Sequence, residues 1–369
     1  NGPLATTAKE VPFTFAELAW EERLGLLRQL MEGLRFLHGM GLVHRDLKPQ
    51  NVLLQLGATD AVPRALTVLI SDFGLSRRLQ GDESSFHGTA AHSGTQGWRA
   101  PEIILNEEAF RFRETQQPAS VSTRGPVKLS KSVDVYAAGL LFYYVLSGGA
   151  HAFGPRLLRE ANMVRGVLGM GELRERAGGL AAADCIERML RRVARERPTA
   201  EQVLRHPLFW GSAQQLAFLC AVSDCLEGEE RRAKAAAGAG AGVDADAPPG
   251  FRAPILQTPW RDAVNAQNAR VFPPGHSTWH KCLDRAVFAD FTRHRFYLVG
   301  QTHDLLRALR NKRAHFSETP APVMAVIGRS ALHAWRGYFQ PRFPDLVMRV
   351  WLGLQATSAA SGELAEYYR

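Results

Sequence analysis

The sequence predicts a mainly α-helical chain, with a larger helical domain carrying a short β insert and a smaller all-helical module behind it. Three observations carry this. Apolar residues recur at three- and four-residue steps through Leu24, Leu27, Leu30, Met31, Leu34 and Leu37, the spacing of one buried helix face. Two short apolar runs, Val52–Leu54 and Leu66–Ile70, lie beside polar or Gly residues and suit a small hairpin-like insert. At Glu227–Gly250 charged residues give way to an Ala/Gly tract ending in Pro248-Pro249-Gly250, a composition with little capacity to bury a core.

In chain order, the first helix is predicted over Phe15–His38 and is stopped by Gly39 and Gly41. The hairpin-like pair follows. Residues 80–95 and 106–131, rich in Ser, Thr, Gly, Gln and charge, read as long loops. Helical patterns resume over Val133–Leu146, Cys185–Val193 and Ala200–Leu204, and again from Trp279 to Leu354, notably Thr302–Phe316 and Pro344–Leu354. The predicted division is 1–210 and 211–369, with a low-complexity insert at about 227–278.

Length and composition narrow the function classes. The 369 residues allow two or three domains, and 46% hydrophobic with 22% charged residues excludes wholesale disorder or a fibrous repeat. A net charge of +9 favours a polyanionic partner, with nucleic acid and anionic membrane surfaces both open. Cys185, Cys220, Cys225 and Cys282 lack CxxC spacing, so neither a zinc site nor a disulfide framework is expected, and a reducing compartment is. The uncharged stretch Val135–Pro155 approaches membrane-spanning length, but it carries Ser147, Gly148, Gly149 and His151 and follows Asp134. It reads as a buried helix and loop. The opening Asn1-Gly2-Pro3 has neither an initiator Met nor a signal-peptide pattern, and the expectation is a piece of a longer protein.

Three motifs stand in order: His44-Arg45-Asp46-Leu47-Lys48-Pro49-Gln50-Asn51, Asp72-Phe73-Gly74 and Ala100-Pro101-Glu102. Together they resemble the catalytic loop and flanking signatures of a protein kinase, so about Phe15 to Trp210 resembles the C-terminal lobe of a Ser/Thr kinase. The resemblance implies Asp46 as acceptor of the substrate hydroxyl proton, Lys48 on the transferred phosphate, and Asn51 and Asp72 as magnesium ligands beside ATP. It places Arg45 to meet an activation-loop phosphate, with Ser84, Ser85, Thr89 and Ser93 as candidate acceptors. Glu102 with Arg197 resembles a structural ion pair, and Asp134 a brace of the catalytic loop. No Gly-rich loop, β3 lysine or αC glutamate precedes the lobe, so the expectation is a fragment of a full kinase, inactive as a kinase without its N-lobe. The rival is a pseudoenzyme scaffold.

Beyond His206-Pro207-Leu208-Phe209-Trp210 the chain continues with Phe218–Asp224, Trp279–Tyr297, Asp304–Phe316 and Tyr338–Pro344. These stretches resemble the kinase-extension nuclease of the inositol-requiring enzymes and of ribonuclease L. On a helix, Arg307, Asn311 and His315 fall at four-residue steps on one face with Arg310 adjacent, and such side chains suit metal-free phosphodiester cleavage. The resemblance implies Tyr297 as general base, His315 as general acid, and Arg310 with Asn311 positioning the phosphate for attack by a ribose 2′-hydroxyl. Eight Lys or Arg against three Asp between Trp279 and His315 suit an RNA backbone. Phe296 and Phe316 are expected in the core.

The combined reading is a bifunctional Ser/Thr kinase and endoribonuclease of the unfolded-protein response. It would cut stem-loop RNA without a metal and be controlled by ATP or ADP binding, trans-autophosphorylation and assembly into a homodimer or higher oligomer. The intact Asp46, Lys48 and Asp72-Phe73-Gly74 favour the inositol-requiring type, which implies the cytosolic face of the endoplasmic reticulum membrane through a span upstream of Asn1, this stretch itself being soluble. The alternatives are a ribonuclease L-like effector with a nucleotide-sensing pseudokinase, and a non-catalytic scaffold.

Overall fold

Trp20 opens a helix with Glu21 and Glu22 in its first turn, where acidic charge meets the positive helix end, and the Glu22 carboxylate accepts the Ala19 N–H at 2.7 Å. This helix, α1 (Trp20–Gly39), buries Leu27, Leu30, Met31, Leu34 and Leu37 of the predicted face, with Leu26 buried where the periodicity predicts Leu24, which is half-buried. Gly41, at φ 73°, supplies the left-handed turn that a side chain would resist. The computed structural model describes residues 15–59, 62–79, 85–87, 94–107, 128–176, 178–236, 258–272 and 274–368, and the chain divides into two units, Asn1–Leu204 and Arg205–Arg369.

In the first unit, β1 (Leu42–Val43) leads through the catalytic-loop segment to a hairpin of β2 (Val52–Thr59) and β3 (Val62–Ile70), with Val52 opposite Ile70 and Leu54 opposite Val68. β4 (Arg77–Arg78) pairs antiparallel with β1. β5 (Ser85–His87) pairs with β6 (Lys128–Ser130), so the stretches read as loops at 80–95 and 106–131 contain a strand pair. Three-residue strands are too short to show alternation, and their long-range pairing leaves no local signal. Between them residues 101–107 form α2.

α3 (Ser132–Ser147) is buried on every side from Val133 to Tyr143, as a helix apolar all round should be. It ends at Gly148, left-handed at φ 83°. The stretch read as a buried helix and loop is one, and among the described residues no helix is long and apolar enough to cross a membrane. α4 (Arg159–Arg165) and α5 (Gly171–Arg174) follow. α6 (Gly179–Met189) begins earlier and ends earlier than the predicted Cys185–Val193, and packs on α3 where a Cβ at Gly139 would come within 2.9 Å of Met189 Cβ. α7 (Ala200–Leu204) starts on a capping box: Gln202 N–H donates to Thr199 Oγ1 at 3.2 Å, and Thr199 N–H to Gln202 Oε1 at 2.9 Å.

The expected boundary at 210 falls just inside the second unit, because the His206 ring packs on Trp351 and Trp210 on Phe218 and Tyr367. α8 (Ser212–Ala236) runs well into the interval expected as insert, and α9 (Pro259–Asn265) and α10 (Asn268–Val271) occupy part of the remainder. The physical reason is tertiary pairing: Glu229 accepts the Trp260 N–H at 3.0 Å, and Glu230 bonds Arg261 at 2.6 Å and Lys234 at 3.0 Å. Then come α11 (Arg285–Thr292), α12 (Thr302–Ala314), α13 (Ala321–Ile327), α14 (Ala331–Ala334), a π-helical turn at Trp335–Phe339, α15 (Gln340–Arg342), α16 (Leu346–Leu354) and α17 (Ser358–Ser361). Phe218, Trp279, Leu305, Leu306, Trp335, Phe339, Leu346 and Val350 form their common core.

Candidate functional sites

The catalytic-loop segment is built around two carboxylates. Asp134, buried near the start of α3, accepts the Arg45 N–H at 2.7 Å and the His44 N–H at 2.8 Å, with His38 Nε2 at 3.0 Å. That grip holds Arg45 at φ 71°, a left-handed conformation costly for a residue with a Cβ. Asp46 comes next, only 6% exposed. Lys48 Nζ donates to its Oδ2 at 2.7 Å and to Thr95 Oγ1 at 2.7 Å, and the Thr95 hydroxyl donates to Asp46 Oδ1 at 2.8 Å. Asn51 Nδ2 donates to the Asp46 carbonyl at 2.8 Å and to its Oδ2 at 3.1 Å. Thr95 was missed by the sequence reading, and its only signal is its place five residues before Ala100.

Spending the Asn51 amide nitrogen on Asp46 leaves the amide oxygen at the opposite end of the group. Asp72, exposed at φ 61°, takes the Gly74 N–H on Oδ1 at 3.3 Å. Two hard oxygen donors of this kind fit a magnesium ion that draws its other ligands from phosphate and water. Arg45 donates to the Leu75 carbonyl at 3.3 Å, and burial, then the Arg77 charge, pulls its guanidinium below the ordinary arginine range. Among the phosphorylation candidates, Ser84, Thr89 and Ser93 lie outside the described residues, and Ser85 is placed only by its backbone, opposite Ser130. Arg197 grips Glu102 with two bonds of 2.7 Å and also donates to the carbonyls of Arg191, Arg192 and Ser132.

In the second unit, Tyr297 lies midway along the irregular segment between α11 and α12, buried edge-on against Trp279 with ring centroids 6.2 Å apart. Trp279 is fully buried and its backbone N–H donates to the Val299 carbonyl at 3.0 Å. Asn311 Nδ2 donates to Tyr297 Oη at 3.0 Å. His315 leaves α12 at φ −111°, ψ 31°, its ring 65% exposed. These three line one cleft of about 360 Å3 with Asp290, His294, Lys312 and Glu318 among its other walls. Lys312 bonds Asp290 and, at 3.2 Å, Thr319 Oγ1.

Arg310 and Arg307 are not in that cleft. Arg310 donates to Asp224 at 2.7 Å and to Glu227, and Arg307 lies 3.1 Å from Glu227, so both guanidinium groups are drawn to α8. The predicted common face of Arg307, Asn311 and His315 is therefore split. Residues at successive helix positions diverge by about 100°, which parts Arg310 from Asn311, and four-residue steps drift enough for the long Arg307 side chain to reach the other way. Phe296, expected in the core, is 66% exposed, because its buried neighbour Tyr297 takes the inward position. His294 and Glu318 were missed altogether, and Lys312 and Asp290 were read only as part of the charge balance; their convergence in the cleft depends on a turn that the sequence pattern does not announce.

The protein kinase domain family matches residues 18–209, over half of the chain. The chain belongs to the protein kinase family. A second family, Ribonuclease 2-5A, matches residues 256–368, and the two in this order are the arrangement of the serine/threonine-protein kinase/endoribonucleases. Similar proteins include the kinase/endoribonuclease ireA of Aspergillus fumigatus, 34% identical over 88% of this chain and 28% of that protein. The sensor for unfolded proteins in the ER of Schizosaccharomyces pombe is 36% identical over 88% of this chain and 28% of its own length. The human kinase/endoribonuclease IRE2 is 33% identical over 93% and 32%. The chain thus spans under a third of the length of each of these curated relatives. Membership in the kinase family implies ATP and magnesium.

Proposed function

We propose that this chain carries the kinase and endoribonuclease parts of an unfolded-protein sensor, cutting stem-loop RNA under the control of nucleotide binding, autophosphorylation and dimerisation. The fission-yeast relative's name supports a place at the endoplasmic reticulum, and a segment upstream of Asn1 would anchor the protein with these units on the cytosolic face. In the kinase unit Asp46 accepts the proton of a protein hydroxyl and Lys48 steadies the phosphate. Asn51 and Asp72 would hold a magnesium ion through their side-chain oxygens, and that ion would supply positive charge to the phosphates.

The observation that carries the nuclease reading is the convergence of Tyr297, Asn311 and His315 in one cleft. The Asn311 N–H holds the phenol oxygen of Tyr297, and that oxygen takes the proton of a ribose 2′-hydroxyl. The 2′-oxygen bonds to phosphorus, the bond from phosphorus to the 5′-oxygen breaks, and that oxygen takes a proton from His315. The products are a 2′,3′-cyclic phosphate and a 5′-hydroxyl. A proton acceptor, a proton donor and an amide suffice for this chemistry, so no metal is assigned to it. Arg310 serves the phosphate only after leaving Asp224 and Glu227.

In the full-length protein, as preformed dimer on a stem-loop RNA, His315→Ala should lower cleavage by about 10²–10⁴-fold, the usual worth of a general acid. Tyr297→Phe should give a similar loss. A 2′-deoxy nucleotide at the scissile position must block cutting, and its efficient cleavage would overturn the mechanism. EDTA should leave the cleavage step unchanged.

A further inference from the structure

We propose that Glu318 is a positioning residue of the nuclease cleft, holding the His315 imidazole by Nδ1 so that Nε2 is the atom presented to the leaving 5′-oxygen. This rests on the nuclease reading above and adds a residue to it. His315 Nδ1 and Glu318 Oε1 are 2.9 Å apart, and both side chains line the cleft that holds Tyr297 and Asn311. An i,i+3 pair on a surface is ordinarily weak, but here the backbone fixes it. α12 stops at Ala314, His315 takes a non-helical conformation, and Phe316–Glu318 form a single 3₁₀ turn. Three residues per turn place side chains at i and i+3 one above the other, so Glu318 is set over His315.

The turn is closed by the Glu318 N–H donating to the His315 carbonyl at 3.1 Å, and by the Thr319 N–H to the Phe316 carbonyl at 3.1 Å. Lys312 ties its end back to α12 through Thr319, and Pro320 then stands at the N-cap of α13. The hydrogen bond and charge of His315, with smaller contributions from His294 and Lys312, hold the Glu318 carboxyl below the usual carboxylate range. It is therefore an anion where an acceptor is needed.

The imidazolium donates Nδ1–H to Glu318 throughout. As the bond from phosphorus to the 5′-oxygen breaks, its electron pair goes to that oxygen, which takes the Nε2 proton. The ring is left neutral with its one proton on Nδ1, still bonded to Glu318. An ionised acceptor at Nδ1 thus selects the tautomer that is correct after transfer.

The test uses the full-length dimer and stem-loop RNA. Glu318→Gln should lower kcat about tenfold with KM unchanged, and Glu318→Asp should recover part of the loss. Because Glu318 is 70% exposed, neither change should move Tm. In a His315→Ala background Glu318→Gln should have no further effect, since residues acting as a unit are not additive. On a substrate whose scissile 5′-oxygen is replaced by sulfur, a leaving group needing no proton, the Glu318→Gln defect should vanish. An unchanged kcat, a rise confined to KM, or a defect that persists with the 5′-thio substrate would overturn the proposal while leaving His315 in its role. Full activity of His315→Ala would remove the nuclease reading and this proposal together.

Discussion

Asp46 and His315 stand at opposite extremes of support. Asp46 is buried, with Lys48, Thr95 and Asn51 on its carboxylate and Asp134 bracing the backbone before it. His315 stands just past the end of α12, mostly exposed, with Glu318 as its bonded side-chain partner. The first group is over-determined by its surroundings, and the second is placed by a turn. Damage near Asp46 should accordingly register in folding as well as rate, whereas damage near His315 should register in rate alone.

The largest effect, and the one that most sharpens this contrast, is His315→Ala. Its loss of about 10²–10⁴-fold in RNA cleavage corresponds to roughly 3–5 kcal/mol of barrier, with Tm unchanged. A fall in Tm would break the contrast. Next comes Asp134→Ala, which leaves the His44 and Arg45 N–H groups without their acceptor and should cost about 3 kcal/mol. Hydrogen exchange at His44–Asp46 should accelerate and autophosphorylation should be lost. Asp46→Ala, by comparison, should remove autophosphorylation and spare some RNA cleavage, and cleavage abolished with the dimer intact would couple the two chemistries more tightly.

Acid should then affect both units. Burial lowers His151 to about 4, and burial likewise lowers His303 to about 4. Each ring resists a proton when folded that it accepts near 6.5 when unfolded, so their effect on stability is nil above that pH. Stability falls as pH drops from about 6.5 towards 4, by up to about 3 kcal/mol for His151. Substituting Gln for His151 should flatten that part of the Tm–pH curve, and an unaltered curve would assign the acid sensitivity elsewhere. The smallest effect is expected from Asp224→Asn, which weakens an exposed carboxylate of the Arg310 clamp and should cost about 0.5 kcal/mol by denaturant unfolding.

Much of the first unit is legible in the sequence because its signals are local. The heptad-like spacing of α1, the uncharged run of α3 and the fixed order of three motifs each lie within a few residues. The pairing of β5 with β6 is not legible, since two three-residue strands far apart in the chain carry no pattern. The charged run Glu227–Ala236 looks like linker, but its carboxylates acquire partners on α9 that lie some thirty residues on. In the cleft of the second unit Tyr297 is nominated by the resemblance, and Asn311 and His315 by helical spacing as well, and the fold brings the three together. Which way Arg310 turned was not readable, because one helix position separates the cleft from the acidic face of α8. Glu318 depended on a single 3₁₀ turn, and sequence patterns specify such turns poorly.

The brace at Asp134 also sets an order of events during synthesis. Its carboxylate lies about ninety residues downstream of the N–H groups that it accepts, which at ribosomal speed is a delay on the order of ten seconds. Through that interval the catalytic loop has all its residues, while the His44 and Arg45 N–H groups wait for the carboxylate that accepts them. A chain stalled before α3 would carry the phosphotransfer motif as text without shape. The loop is therefore completed by a late, non-local contact, the kind whose closure is slow, and a nascent kinase unit cannot assemble this catalytic loop until α3 has left the ribosome.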